Sequence, residues 1–215
     1  MPEPTSRPVA GSPWGAVAPE GADTAVGVAA RLGAYCWVEQ QLFSLLGGWV
    51  AEIPEPDVKL AVAEHADHAA WRAQRWHELL PGAPPGPDAL VVAPVGVDLA
   101  LAEALQVTSG PDRTAEKLAV SYRVLFPRLA AALRAHLDWA PAVSEPAVRR
   151  LLAIALEDLS TDWVAGERLL QAVATDTEAL GRLAGGVSPV EGALTAAGGI
   201  VGPTSIGLRR VGGAP

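Results

Sequence analysis

Along residues 24–51 the apolar positions Val28, Leu32, Tyr35, Leu42, Leu46 and Trp49 recur at alternating steps of three and four, the period of one helix face. The run predicts a helix from Thr24 to about Ala51. Pro54 and Pro56 interrupt it, and Pro56 suits the first turn of a second helix, where a missing N–H costs nothing. Val58, Val62, Ala69 and Trp76 mark that helix's apolar face, and "LPGAPPGP" stops it near Leu80. From Gly82 to Asp112 the pattern predicts at most one short helix, over residues 96–105. A third helix is expected from about Asp112 to Trp139, kinked or split where Pro127 removes a backbone donor. "APAVSEP" then turns the chain, with Ser144 as the expected N-cap and Pro146 in the first turn. A fourth helix follows to about Thr175.

Residues 1–22 repeat Pro and Gly without an apolar period and are expected to form a disordered arm. Residues 23–175 form the expected bundle domain. The Gly-rich stretch 176–215 predicts a short helix and a flexible tail. The expected architecture is therefore all-α: an antiparallel four-helix bundle of two helical hairpins joined by one long crossover, with a small C-terminal appendage. A single long crossover is the connectivity of ferritin-like bundles.

Composition narrows the function classes. The chain has 215 residues, half of them hydrophobic, which suffices for a real core. No apolar run approaches the roughly 18 residues of a membrane span, so no membrane partner is expected. A net charge of -8 argues against nucleic acid, whose phosphates need a basic face. The start lacks a basic and apolar leader, and Cys36 is the single cysteine, so a cytoplasmic setting and a buried, inert thiol are expected. No nucleophile elbow, phosphate loop or CxxC motif occurs, and the glycine clusters do not sit between a strand and a helix.

The informative positions are polar residues that fall on apolar stripes. In the first helix the stripe passes through Glu39 at mid-length, and in the second through His65, with His68 three residues on. On the fourth helix Val148, Leu151, Ala155, Ala165 and Leu169 define a stripe that includes Asp158 and Asp162. Counting from the two turns brings these residues to one level, near Tyr122 and Arg123 of the third helix. Glu64 and Asp67 are expected to face solvent. A buried carboxylate needs a metal, a cation or a proton beside it. Two readings stay open: a metal site of Glu39, His65, His68, Asp158 and Asp162, or an ion-pair network closed by Arg72, Arg75 or Arg123.

At these residues the chain resembles the ferritin-like superfamily, the carboxylate-bridged helix-bundle proteins. The resemblance covers residues 24–175. It rests on the topology, on Glu39, on the segment "AVAEHADHAAW" and on Asp158 and Asp162. It implies iron or manganese as cofactor and an iron-dependent oxidation or hydroxylation of a small molecule, with Glu39, His68 and Asp158 as primary ligands and His65 and Asp162 completing them. The chain departs from the family's ligand set. The second helix has no Glu-x-x-His, the fourth has no His, and the third has no carboxylate between Glu116 and Asp138. A reduced site and a bundle without metal are equally open, the latter as a non-catalytic interaction or scaffold protein. The tail "GPTSIGLRR" looks like the C-terminal peptides that load ferritin-like proteins into encapsulin shells, which implies a third role, an iron-handling cargo protein with a shell partner. A second apolar stripe on the fourth helix (Leu152, Leu156, Leu159, Trp163, Leu170) is expected to meet either the appended helix or a second copy in a homodimer.

Overall fold

The computed structural model describes residues 24–175 and 177–202, together with the backbone of 14–17 and 207–210. The expected arm and the expected docking peptide lie outside the described residues, apart from two short strands, β1 (Trp14–Val17) and β2 (Gly207–Arg210), which pair antiparallel. The rest is helical, so the all-α expectation holds. Helix α1 spans Ala25–Val50, its start fixed by Thr24, whose hydroxyl accepts from the Gly27 amide at 3.0 Å. Helix α2 spans Pro56–Glu78. A 3-10 turn (Asp88–Leu90) and α3 (Val97–Val107) lie in the crossover. Helix α4 (Thr114–Ala119), a π-helical stretch (Val120–Leu125) and α5 (Phe126–Trp139) form one rod, and α6 (Pro146–Val173) and α7 (Thr177–Ala196) complete the fold.

Three details differ from the sequence pattern. Pro127 does not split its helix. The rod widens into π-helical turns just before it and continues as α5 with the proline in its first turn, where a missing N–H is tolerated. The N-cap of α6 is Glu145 rather than Ser144, without a side-chain capping bond, because the Glu145 carboxylate reaches toward His136 instead. The C-terminal helix is longer than its Gly-rich sequence suggests, at 20 residues, and it buries Leu183, Val190 and Leu194 against the chain.

Contacts at the two ends fix the direction of each helix. Lys117 pairs with Glu52 at 2.9 Å, and the Thr114 hydroxyl donates to Glu55 at 2.8 Å, so α4 begins beside the α1–α2 turn. At the opposite end the Tyr35 hydroxyl meets His136 Nδ1 at 3.1 Å, and Arg31 lies over the Trp139 ring at 4.7 Å. The α4–α5 rod therefore runs parallel to α2, and the crossover carries the chain back along the bundle. Gly33 makes that return possible: any Cβ there would collide with the Leu90 carbonyl, so the crossover lies directly on the α1 backbone. Leu152, Leu156, Leu159 and Leu170 are buried within the single chain, and of the second stripe Trp163 alone stays exposed, at 36%.

Candidate functional site

Glu39 of α1, His65 and His68 of α2, and Asp158 and Asp162 of α6 meet in one layer at mid-bundle, and Arg72 lies at its centre. Arg72 is fully buried. Its Nε donates to Glu39 Oε1 at 2.8 Å, and its NH1 group donates to Asp158 Oδ2 at 2.5 Å and to Asp162 Oδ2 at 3.3 Å. One guanidinium thus bridges three helices, its planar fork holding donors on separate nitrogens in fixed directions. The other two arginines considered from sequence do not enter: Arg75 pairs with Glu78, and Arg123 forks onto Glu167 on the outer face. Glu64 and Asp67 are exposed, as expected.

The histidines divide the remaining work. His68 Nδ1 donates to Asp162 Oδ1 at 2.9 Å and lies 3.8 Å from Asp158 Oδ1. Burial works against its charged form, but the hydrogen bond and the charges of Asp162 and Asp158 outweigh it, and its pKa lies above the ordinary value. His65 Nδ1 sits 2.6 Å from the Tyr122 hydroxyl and its Nε2 lies 3.6 Å from Asp162 Oδ1. Burial, aided by the nearby positive groups, holds His65 below its ordinary pKa. Burial also raises the Tyr122 phenol, so Tyr122 stays protonated and donates to His65, leaving Nε2–H directed at Asp162.

Three carboxylates face one guanidinium, so the layer needs protons for balance. Burial raises the Glu39 pKa against the opposing pull of Arg72, and Glu39 Oε2 has no hydrogen-bond partner. When protonated, His68 adds one positive charge to the layer. Arg72 NH2 is likewise buried without a partner. His68, Asp158 and Asp162 each offer one ligand atom, all within 4.8 Å of one another, and these three are the group among the described residues that could hold a metal ion. His68 and Asp158 are partly exposed, with side chains 33% and 28% accessible, so this edge of the layer reaches solvent.

A second buried polar cluster lies toward the start of α1 and the α5–α6 turn. Tyr35, Trp76, His136, Arg31 and Glu145 gather there. His136 Nε2 is 3.4 Å from Glu145 Oε2, its ring stacks on Trp139 at 4.5 Å, and burial together with Arg31 lowers its pKa to about 3. This neutral histidine ties the start of α1 to the α5–α6 turn. Arg149 secures the same turn by donating to the Leu137 and Ala140 carbonyls at 2.7 and 2.6 Å. Cys36 is buried with its thiol 3.4 Å from the Ala73 carbonyl, and burial pushes its pKa up to about 11. No helix among the described residues is long and apolar enough to cross a membrane. No family model, curated protein or solved structure matches the chain.

Proposed function

We propose that the chain is a ferritin-like helix bundle in which the Arg72 guanidinium supplies the positive charge that a metal would bring, and that it acts as a non-catalytic interaction or scaffold protein. The observation that carries this is the placement of Arg72, fully buried, between Glu39, Asp158 and Asp162. The returning crossover, with α2 and the α4–α5 rod parallel, supports the ferritin-like topology. A dinuclear centre does not fit this donor set. One oxygen of each carboxylate faces the guanidinium, the remaining Asp162 oxygen accepts from His68, and the third long helix offers Tyr122 instead of a carboxylate. A second cation among those oxygens would meet a permanent positive charge.

A second reading has its own observation. His68, Asp158 and Asp162 at the solvent edge would suit one divalent cation such as iron or manganese, and with it a small-molecule oxidation or an iron-handling role. The two separate by metal content. Protein purified without chelator is analysed beside a Glu39→Ala/His68→Ala double variant. The scaffold reading expects far less than one metal per chain in both, and stoichiometric metal in the native protein that the double variant loses would overturn it.

A further inference from the structure

The outer face where the π-helical stretch meets α6 carries a concave groove of about 630 Å³, a size typical of small-molecule sites. Trp163 and Val164 form its apolar wall, 36% and 52% exposed. The Tyr122 ring lies beneath the floor, wholly buried. That floor is apolar because the Tyr122 hydroxyl is committed inward, to His65 at 2.6 Å. Gly166 makes the arrangement possible: a Cβ at that position would overlap the Tyr122 ring, so its absence lets the ring lie flat against the α6 backbone.

The rim is positive. Arg123 forks onto Glu167, with Nε to Oε2 at 3.2 Å and NH2 to Oε1 at 2.8 Å, so those two charges cancel. Arg168 lines the same groove and makes no ion pair among the described residues. The groove therefore carries one uncompensated positive charge in a chain whose net charge is -8. Its exposed apolar surface is limited to Trp163, Val164 and part of Pro127, far below the roughly 800 Å² per partner of a stable protein interface. Shape and charge together select a small ligand with a flat apolar body and one anionic group. We propose that this groove is a binding site for small aromatic carboxylates, the ring packed on Trp163 and Pro127 and the carboxylate on Arg168. The Tyr122 ring separates the groove from the charge layer, and the proposal does not depend on how that layer is read.

The test titrates 1-naphthylacetate and its neutral amide into the full chain by calorimetry. The native protein is expected to bind the acid about tenfold more tightly than the amide, the weight of one charge-assisted hydrogen bond. Arg168→Gln, an exposed position, removes that preference while leaving the thermal melt unchanged, and Trp163→Ala weakens both probes. Equal affinity for acid and amide, an unaltered preference in Arg168→Gln, or no saturable binding at millimolar probe overturns the proposal. Sedimentation covers the remaining occupant: self-association of the native chain that Trp163→Ala abolishes would assign the face to a second copy and overturn it as well.

Discussion

Replacing Arg72 by methionine keeps an apolar stem and removes the guanidinium with its charge. Glu39 is wholly buried and Asp162 is 2% exposed, so water cannot take over the lost hydrogen bonds. Asp158, partly exposed, can rehydrate. Removing one partner of a buried ion pair costs about 3–5 kcal/mol, because the other charge stays behind. Glu39 can offset part of this by taking a proton, toward which burial already biases it. The expected loss is therefore about 3–5 kcal/mol, or roughly 6–20 °C in Tm for a domain of this size. Urea unfolding followed by tryptophan fluorescence measures it, and the chain has seven tryptophans to report. Adding Glu39→Met to the variant should recover part of the loss, since an ion pair replaced on both sides by apolar groups is often near neutral. A loss below about 1 kcal/mol, or a double variant whose penalties simply add, would refute the reasoning.

Further expectations follow from particular contacts. His136, held at about 3 against an ordinary 6.5, binds its proton more weakly folded than unfolded. Its stabilisation is full above pH 6.5 and lost as pH falls toward 3, at up to about 1.4 kcal/mol per pH unit and about 5 kcal/mol in total. His136→Gln should flatten the acid limb of a stability-versus-pH curve, and an unchanged slope would contradict the assignment. Cys36, with its thiol pushed up to about 11, should react with a disulfide reagent only on unfolding, and fast modification of the native chain would disprove its burial. Gly33→Ala should lift the crossover off α1, costing about 1–3 kcal/mol and raising hydrogen exchange around Leu90. Unchanged exchange there would exclude the close approach.

Much of this layer was legible because buried polar residues interrupt an apolar period. Glu39 fills a gap in the α1 stripe, and the count from the turns put the layer near Tyr122, whose hydroxyl meets His65. Arg72 left the same kind of signal. Steps of four and three from Val58 through Val62, His65 and Ala69 arrive at residue 72 before Trp76, so the arginine lies on the core face. Periodicity places it there but does not say which carboxylates it will meet, and Arg75 and Arg123 were equal candidates on charge alone. Their exposure comes from side-chain packing across helices, which no single-helix pattern contains. Glu145 sits in a turn, where no period exists to expose it, so the His136 layer could not be assembled from sequence. The π-helical stretch was likewise hidden: Pro127 announces a disturbance, and the packing of Tyr122 against Gly166 shows how the rod is held through it.

The central claim is that the guanidinium and a metal cation are alternative occupants of one charge layer. Thermal melts of the native protein and of Arg72→Ala, each titrated with manganese(II), test it most directly. With the guanidinium gone, Glu39, His68, Asp158 and Asp162 are left to receive the ion. The variant should melt well below the native chain and then recover as the metal is added, by about 2.7 kcal/mol once the ion reaches 100 times its Kd, while the native melt stays fixed. A native protein stabilised by manganese as strongly as the variant, or a variant indifferent to it, would contradict the account.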